Sequence, residues 1–185
     1  MSVVCAKITP DSIHIAADSG IYCGDHIKTG ERSAKLRKID DNFAIGGVGD
    51  LGEIAALFRY ASDHRPQTNT EQGVFMFLRD FYLEWHEDKA AFYSKAEFAK
   101  ENPEEDANDY LIVLDGCLFS CSGHCVVQAH SFDAIGAGAP FARTSLLLGN
   151  EPTTAVSNAI QLCAFVHPPI VSYRFPASTR QVDEA

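Results

Sequence analysis

The sequence predicts an α+β fold of four layers, an αββα sandwich in which two antiparallel sheets lie face to face with a helix pair outside each. Short apolar runs bounded by turn-forming residues recur up to residue 47 and again between residues 110 and 136. A pair of helical patterns follows each group of strands. The order is ββββ-αα-ββββ-αα-β, in which strands mostly follow strands without the helical crossovers that parallel pairing requires.

The first strands are VVCAKI (3–8) and IHIAAD (13–18), flanking the turn residues Thr9-Pro10-Asp11-Ser12. A loop of about fifteen residues, rich in glycine and charge, is expected next. KLRKI (35–39) and FAIGG (43–47) then flank Asp40-Asp41-Asn42, a second hairpin signal. Apolar residues at 51, 54, 55, 57, 58 and 61 fit a helix that Asp-His-Arg-Pro at 63–66 ends. Thr68, three residues before Glu71, predicts a capping box for a longer helix. Its apolar face is Val74, Phe75, Phe77, Leu78, Phe81, Tyr82 and Trp85, a stripe suited to a core or a subunit interface. YLIVL (110–114), the turn Asp115-Gly116, CLFSC (117–121), CVVQAH (125–130) and FDAIG (132–136) give the second strand group. Pro140 opens a helix that stops at Gly149, and Pro152 opens another that Pro168-Pro169 closes. IVSYRF (170–175) is the last strand, so residues 1–175 read as one domain and 176–185 as a polar tail.

With 185 residues, 46% hydrophobic and 22% charged, the chain has the composition of one globular domain. The start MSVVCAKI has no basic and apolar leader, and no apolar stretch approaches the roughly 20 residues of a membrane helix. A cytoplasmic protein without membrane contact is expected. The net charge of -10 opposes binding to nucleic acid, which needs clustered Lys and Arg. The acid concentrates between Glu97 and Asp109, where Glu101, Glu104, Glu105 and Asp106 read as a solvated loop.

Several motifs invite chemistry and fail on context. Gly47-x-Gly49-x-x-Gly52 matches a dinucleotide fingerprint, but a second helix follows where a parallel strand is required. Cys117, Cys121 and Cys125 beside His124 hint at zinc, yet they lack the closely spaced second pair of a structural site. Neither a metal nor a cofactor is expected, and the six cysteines read as reduced thiols. What remains is Ser2. Removal of Met1 exposes a serine carrying both a hydroxyl and a free α-amine, whose pKa of roughly 7.7–8.0 suits it to act as base for that hydroxyl. Such a site needs a nearby cation and backbone N–H groups to hold an oxyanion.

Ser2-Val3-Val4, Ala16-Ala17-Asp18-Ser19, Ala34-Lys35-Leu36-Arg37-Lys38-Ile39 and Ala44-Ile45-Gly46-Gly47-Val48-Gly49-Asp50 together resemble proteasome β-subunits and the related bacterial heat-shock peptidase. Ala134-Ile135-Gly136-Ala137-Gly138-Ala139-Pro140-Phe141-Ala142 matches the start of that family's third helix, and the resemblance spans residues 2–175. It implies an N-terminal-nucleophile (Ntn) hydrolase of the threonine-peptidase type. Ser2 would be the nucleophile, Asp18 and Lys35 the charged pair beside it, and the Gly47 N–H the oxyanion donor. It also implies peptide or unfolded-protein substrates, self-association into rings, and room for an ATPase unfoldase as partner. Without the family pattern, Asp18 and Lys35 read as an ordinary ion pair between strands.

Two departures bear on activity. Ala137 stands where the family has a serine between two glycines, and Cys163 or Phe165 stands where it has an aspartate. With Cys163 as the match, Val166 replaces a Ser or Thr. These groups surround the nucleophile's amine, so their loss leaves open a second reading: an impaired or inactive ring subunit with a structural or gating role.

Overall fold

A computed structural model of the chain describes residues 2–23, 26–29, 35–92, 108–123 and 125–178. The acidic run at 97–107, His124 and the tail beyond residue 178 lie outside the described residues.

Two antiparallel sheets carry the fold. The first orders its strands β10-β1-β2-β11, with β1 at Val4–Ile8, β2 at Ser12–Ala17, β10 at Phe132–Ile135 and β11 at Val171–Pro176. The second orders them β5-β6-β7-β8-β9, with β5 at Leu36–Lys38, β6 at Phe43–Val48, β7 at Asp109–Leu114, β8 at Cys117–Ser122 and β9 at Cys125–Ala129. Helices α1 (Leu51–Asp63) and α2 (Glu71–Phe92) cover the second sheet. Helices α3 (Ala139–Leu147) and α4 (Pro152–Leu162) cover the first. The predicted αββα sandwich is the observed one.

Three apolar interfaces separate the four layers, and strand alternation feeds all of them. Along β1, Val4 and Ala6 enter the interface between sheets, while Val3 and Cys5 face α3 and α4. Along β7, Leu111 and Val113 point between the sheets, while Tyr110, Ile112 and Leu114 meet α1 and α2. Burial on both faces explains why these strands read as unbroken apolar runs. The layer under α3 and α4 is built largely of alanines, Ala16, Ala134, Ala139, Ala142, Ala155 and Ala159, which let the helices approach the sheet closely.

Two expectations need correction. The long loop after β2 contains a hairpin, β3 (Gly20–Cys23) paired with β4 (His26–Thr29), outside both main sheets. Its β-forming residues are too few to stand out among the surrounding glycines and charges. The cap of α2 is also displaced. The helix starts at Glu71, and Thr70 Oγ1 accepts from Gly73 N at 3.1 Å, so Thr70 caps it and Thr68 stands outside. Glu71 instead reaches the edge strand β9, where Oε1 accepts from Gln128 N at 2.8 Å. The aromatic stripe of α2 turns inward: Phe77 and Phe81 are buried with Val74 and Leu78, while Tyr82 and Trp85 are partly covered.

Candidate active site

The β1–β2 register pairs Val4 with Ala17, so Val3 and Asp18 face each other one step further out. Asp18 N donates to Val3 O at 3.2 Å, and Val3 N donates to Asp18 Oδ1 at 2.9 Å. The spacing of sixteen between Ser2 and Asp18 is the arc of one hairpin. Asp18 is fully buried, and its Oδ2 accepts from Gly20 N and His167 N, both at 3.1 Å. Lys35 Nζ donates to both carboxylate oxygens at 2.8 Å. Backbone donors from three segments and one ammonium thus compensate the removal of this charge from water.

Lys35 precedes β5, so its side chain ties the second sheet to the first. It is 1% exposed, and that burial holds its pKa below the ordinary lysine value, against the opposing charge and hydrogen bonds of Asp18. Ser2 is buried beside this pair, and its carbonyl accepts from Gly138 N at 3.0 Å. Gly136 has φ 89°, and a Cβ there would stand 2.5 Å from Ser2 O and 3.1 Å from Val48 Cγ1. Only glycine suits both that conformation and that approach. Ser2 therefore sits where the β10–α3 turn meets the end of β6.

The Gly47 N–H, which the family resemblance makes the oxyanion donor, already has a partner. It donates to Lys35 O at 2.7 Å, so it is committed to the β5–β6 ladder and is not free to hold an oxyanion. Gly49, just past the end of β6, has φ 126° and has left the extended strand. Gly49 is exposed, and among the described residues its N–H meets no acceptor.

No protein-family model matches the sequence, and no curated protein matches it. Solved structures do. Thiobacillus denitrificans BPH superposes with a TM-score of 0.76 at 19% identity, covering 95% of this chain and 98% of that one. The same protein in complex with epoxomicin gives a TM-score of 0.73 at 21% identity, covering 95% and 99%. Eukaryotic HslV from Trypanosoma brucei gives 0.65 at 16% identity, covering 94% and 99%. This chain has the Ntn-hydrolase fold. At these identities the likeness is one of fold, and the chemistry rests on the residues themselves.

Within that fold the two departures lie side by side. Cys163 Sγ stands 3.8 Å from Ala137 O, and Val166 Cγ2 lies 2.8 Å from where a Cβ on Gly138 would be. Cys163 is buried here, whereas Phe165 is 45% exposed, so Cys163 is the residue that shares the neighbourhood of Ala137. Cys117 and Cys121 lie in the core under α1 and α2. Among the described residues no group of three or more His, Cys, Asp and Glu side chains is arranged to hold a metal.

Sequence reading missed three contributors. His167 acts through its backbone, donating to Asp18 and accepting from Ser19 N at 3.0 Å, which no side-chain motif signals. Gly136 stands inside the Ala134–Ala142 match, where no residue type signals its close approach to Ser2 O. Asn108 is a polar residue at the head of an apolar strand. It is buried, and its Oδ1 accepts from Asp50 N at 2.6 Å beside the exposed Gly49. Ser19 Oγ is buried beside Asp18 and meets no hydrogen-bond partner among the described residues.

Proposed function

We propose that this chain is a peptidase whose nucleophile is Ser2, made N-terminal by removal of Met1. One observation carries the reading: Asp18 holds the Val3 N–H and the Lys35 ammonium together immediately beside Ser2. An ordinary strand-to-strand ion pair has no need to grip the second peptide of the chain. In the proposed reaction the Ser2 α-amine takes the proton of Oγ as Oγ attacks a peptide carbonyl. Lys35 keeps that amine neutral by its charge, and an edge N–H stabilises the tetrahedral oxyanion. Collapse expels the leaving amine, which takes the proton, and leaves an ester that water hydrolyses. The proposal includes self-association into a ring that encloses the sites, with unfolded chains as substrate and an ATPase supplying them.

Fluorogenic peptides test the reading. Slow turnover that Ser2→Ala and Lys35→Ala both abolish supports it. Turnover that survives Ser2→Ala assigns the activity elsewhere.

A second reading, an impaired ring subunit, is favoured by the apolar and thiol groups at Ala137, Cys163 and Val166. General-base assistance contributes roughly 10²–10⁴-fold, and a poorly oriented amine forfeits part of that. Ala137→Ser combined with Cys163→Asp is expected to raise turnover, the two being made together because groups in one network are not additive. If neither the parent nor the double variant hydrolyses any peptide with the Ser2 amine free, the second reading holds.

A further inference from the structure

The outer helical layer holds a groove that shares no residue with the Ser2 site. Ala56, Arg59, Tyr60 and Asp63 are spaced i, i+3, i+4 and i+7 along α1. Phe81, Glu84, Trp85 and Asp88 repeat that spacing along α2. Each set forms one stripe on its helix, and the two stripes line a cavity of about 180 Å³. Rings make its apolar part. Phe81 is buried, with the Tyr60 centroid 5.7 Å away and the Trp85 ring stacked at 6.5 Å. The His64 imidazole stacks on Tyr60 with centroids 4.0 Å apart. Carboxylates make the rim: Glu84 and Asp88 are exposed on α2, and Asp63 is exposed at the end of α1. The negative end of α1 lies there too, with no basic residue in its last turn. Arg59 shares the lining and leaves the rim net negative. Burial, with Asp80 and Glu84 nearby, holds the Tyr60 phenol above its ordinary pKa, as a negative field does. Lys89 Nζ already lies 5.7 Å from the Trp85 centroid, within reach of a cation–π contact.

We propose that this groove between α1 and α2 is a docking site for a single arginine presented by a flexible segment of a partner protein. The chemistry selects a guanidinium. A flat cation lies against the ring faces while its N–H groups donate to the rim carboxylates. A quaternary ammonium satisfies the rings but has no N–H for the carboxylates, and an anion is repelled by them. The cavity is smaller than the roughly 300–1,000 Å³ of small-molecule pockets, which suits one side-chain end whose main chain stays outside. The net charge of -10 draws basic segments towards the chain. This site stands independently of the peptidase reading.

Trp85 is the chain's single tryptophan, so its selectively excited emission in the full chain reads this groove. The emission is titrated at constant ionic strength with a capped tripeptide of arginine between two glycines. The same tripeptide with neutral citrulline, and free propylguanidinium, are the comparisons. A saturable change with the arginine peptide is expected, with the citrulline peptide at least about tenfold weaker. Glu84→Gln combined with Asp88→Asn, both at exposed positions, is expected to weaken the arginine peptide by about threefold to tenfold. Asp11→Asn, exposed away from the groove, is expected to leave it unchanged. No saturable change, equal binding of the citrulline peptide, or unchanged binding in the Glu84 and Asp88 double variant overturns the site. Equal weakening by Asp11→Asn shows a response to overall charge and overturns it as well. Propylguanidinium that binds more tightly than the peptide makes the ligand a small cation and overturns the docking role.

Discussion

Lys35 and Asp18 separate a structural role from a chemical one. Removing one partner of a buried, hydrogen-bonded pair leaves an uncompensated charge, so Lys35→Ala is expected to destabilise the fold by about 3–5 kcal/mol in urea unfolding. If the pair were only a tie between sheets, partially active Lys35 variants would lose activity in proportion to the folded fraction. The account expects activity to vanish at temperatures where the variant remains folded. The thiols give an independent check on burial. Desolvation pushes Cys121 up to about 12, against an ordinary value of 9.0, and Cys5 higher still. A thiol whose folded pKa is raised stabilises the protein fully below the unfolded value, and that contribution fades as pH rises from about 9 towards 12. Iodoacetamide at pH 8.5 is therefore expected to modify the exposed Cys125 and spare Cys5 and Cys121, as read from peptide masses. Rapid labelling of Cys5 in native protein would contradict the packing of β1 against α4.

At the scale of elements, the strands were legible because burial on both faces leaves continuous apolar runs, and the hairpin register follows from their spacing. Ser2, Asp18 and Lys35 are singled out by the family resemblance, and the structure brings the Asp18 carboxylate onto both Val3 N and Lys35 Nζ. What the sequence hid depends on hydrogen-bond direction. The Gly47 N–H turns into the ladder because Lys35 O stands opposite it, and no residue type announces that. The α2 cap slipped for a similar reason. Thr68 and Thr70 both precede an acidic first turn, and only geometry shows that Thr70 meets the Gly73 N–H. Thr70→Ala is expected to cost about 1 kcal/mol in chemical unfolding, and Thr68→Ala clearly less. Equal losses would restore the capping box that Thr68 suggested. The β10–α3 turn makes a stronger claim. Gly136→Ala forces a Cβ against Ser2 O at a positive φ, so Tm and any hydrolysis should both fall.

Over the whole molecule, four layers bring the start of the chain, the end of β2, the head of β5 and the approach to β11 to one point between the sheets. That convergence is why the Asp18 carboxylate can be held by segments as distant as Val3, Lys35 and His167. The aromatic face of α2 is largely used inside the domain, so the proposed ring would rest on other surfaces; among the described residues, Leu83, Leu147, Leu148 and Leu162 are large aliphatic side chains left exposed on helices or at their ends. Assembly into a homo-oligomer is expected in light scattering at micromolar concentration. A monomer at all concentrations would count against the enclosed chamber and leave the fold as it stands.

Ser2 can serve as an N-terminal nucleophile only once Met1 is gone, and the mass of the N-terminal peptide reports that step. Protein from its native host, treated with epoxomicin, the compound carried by the BPH structure, is digested and its first peptide weighed. The account predicts a peptide that begins at Ser2, lacks Met1 and carries the added mass of the compound, with no adduct on the Ser2→Ala variant. A first peptide that retains Met1 throughout would contradict it, because the amine that serves as base would not exist.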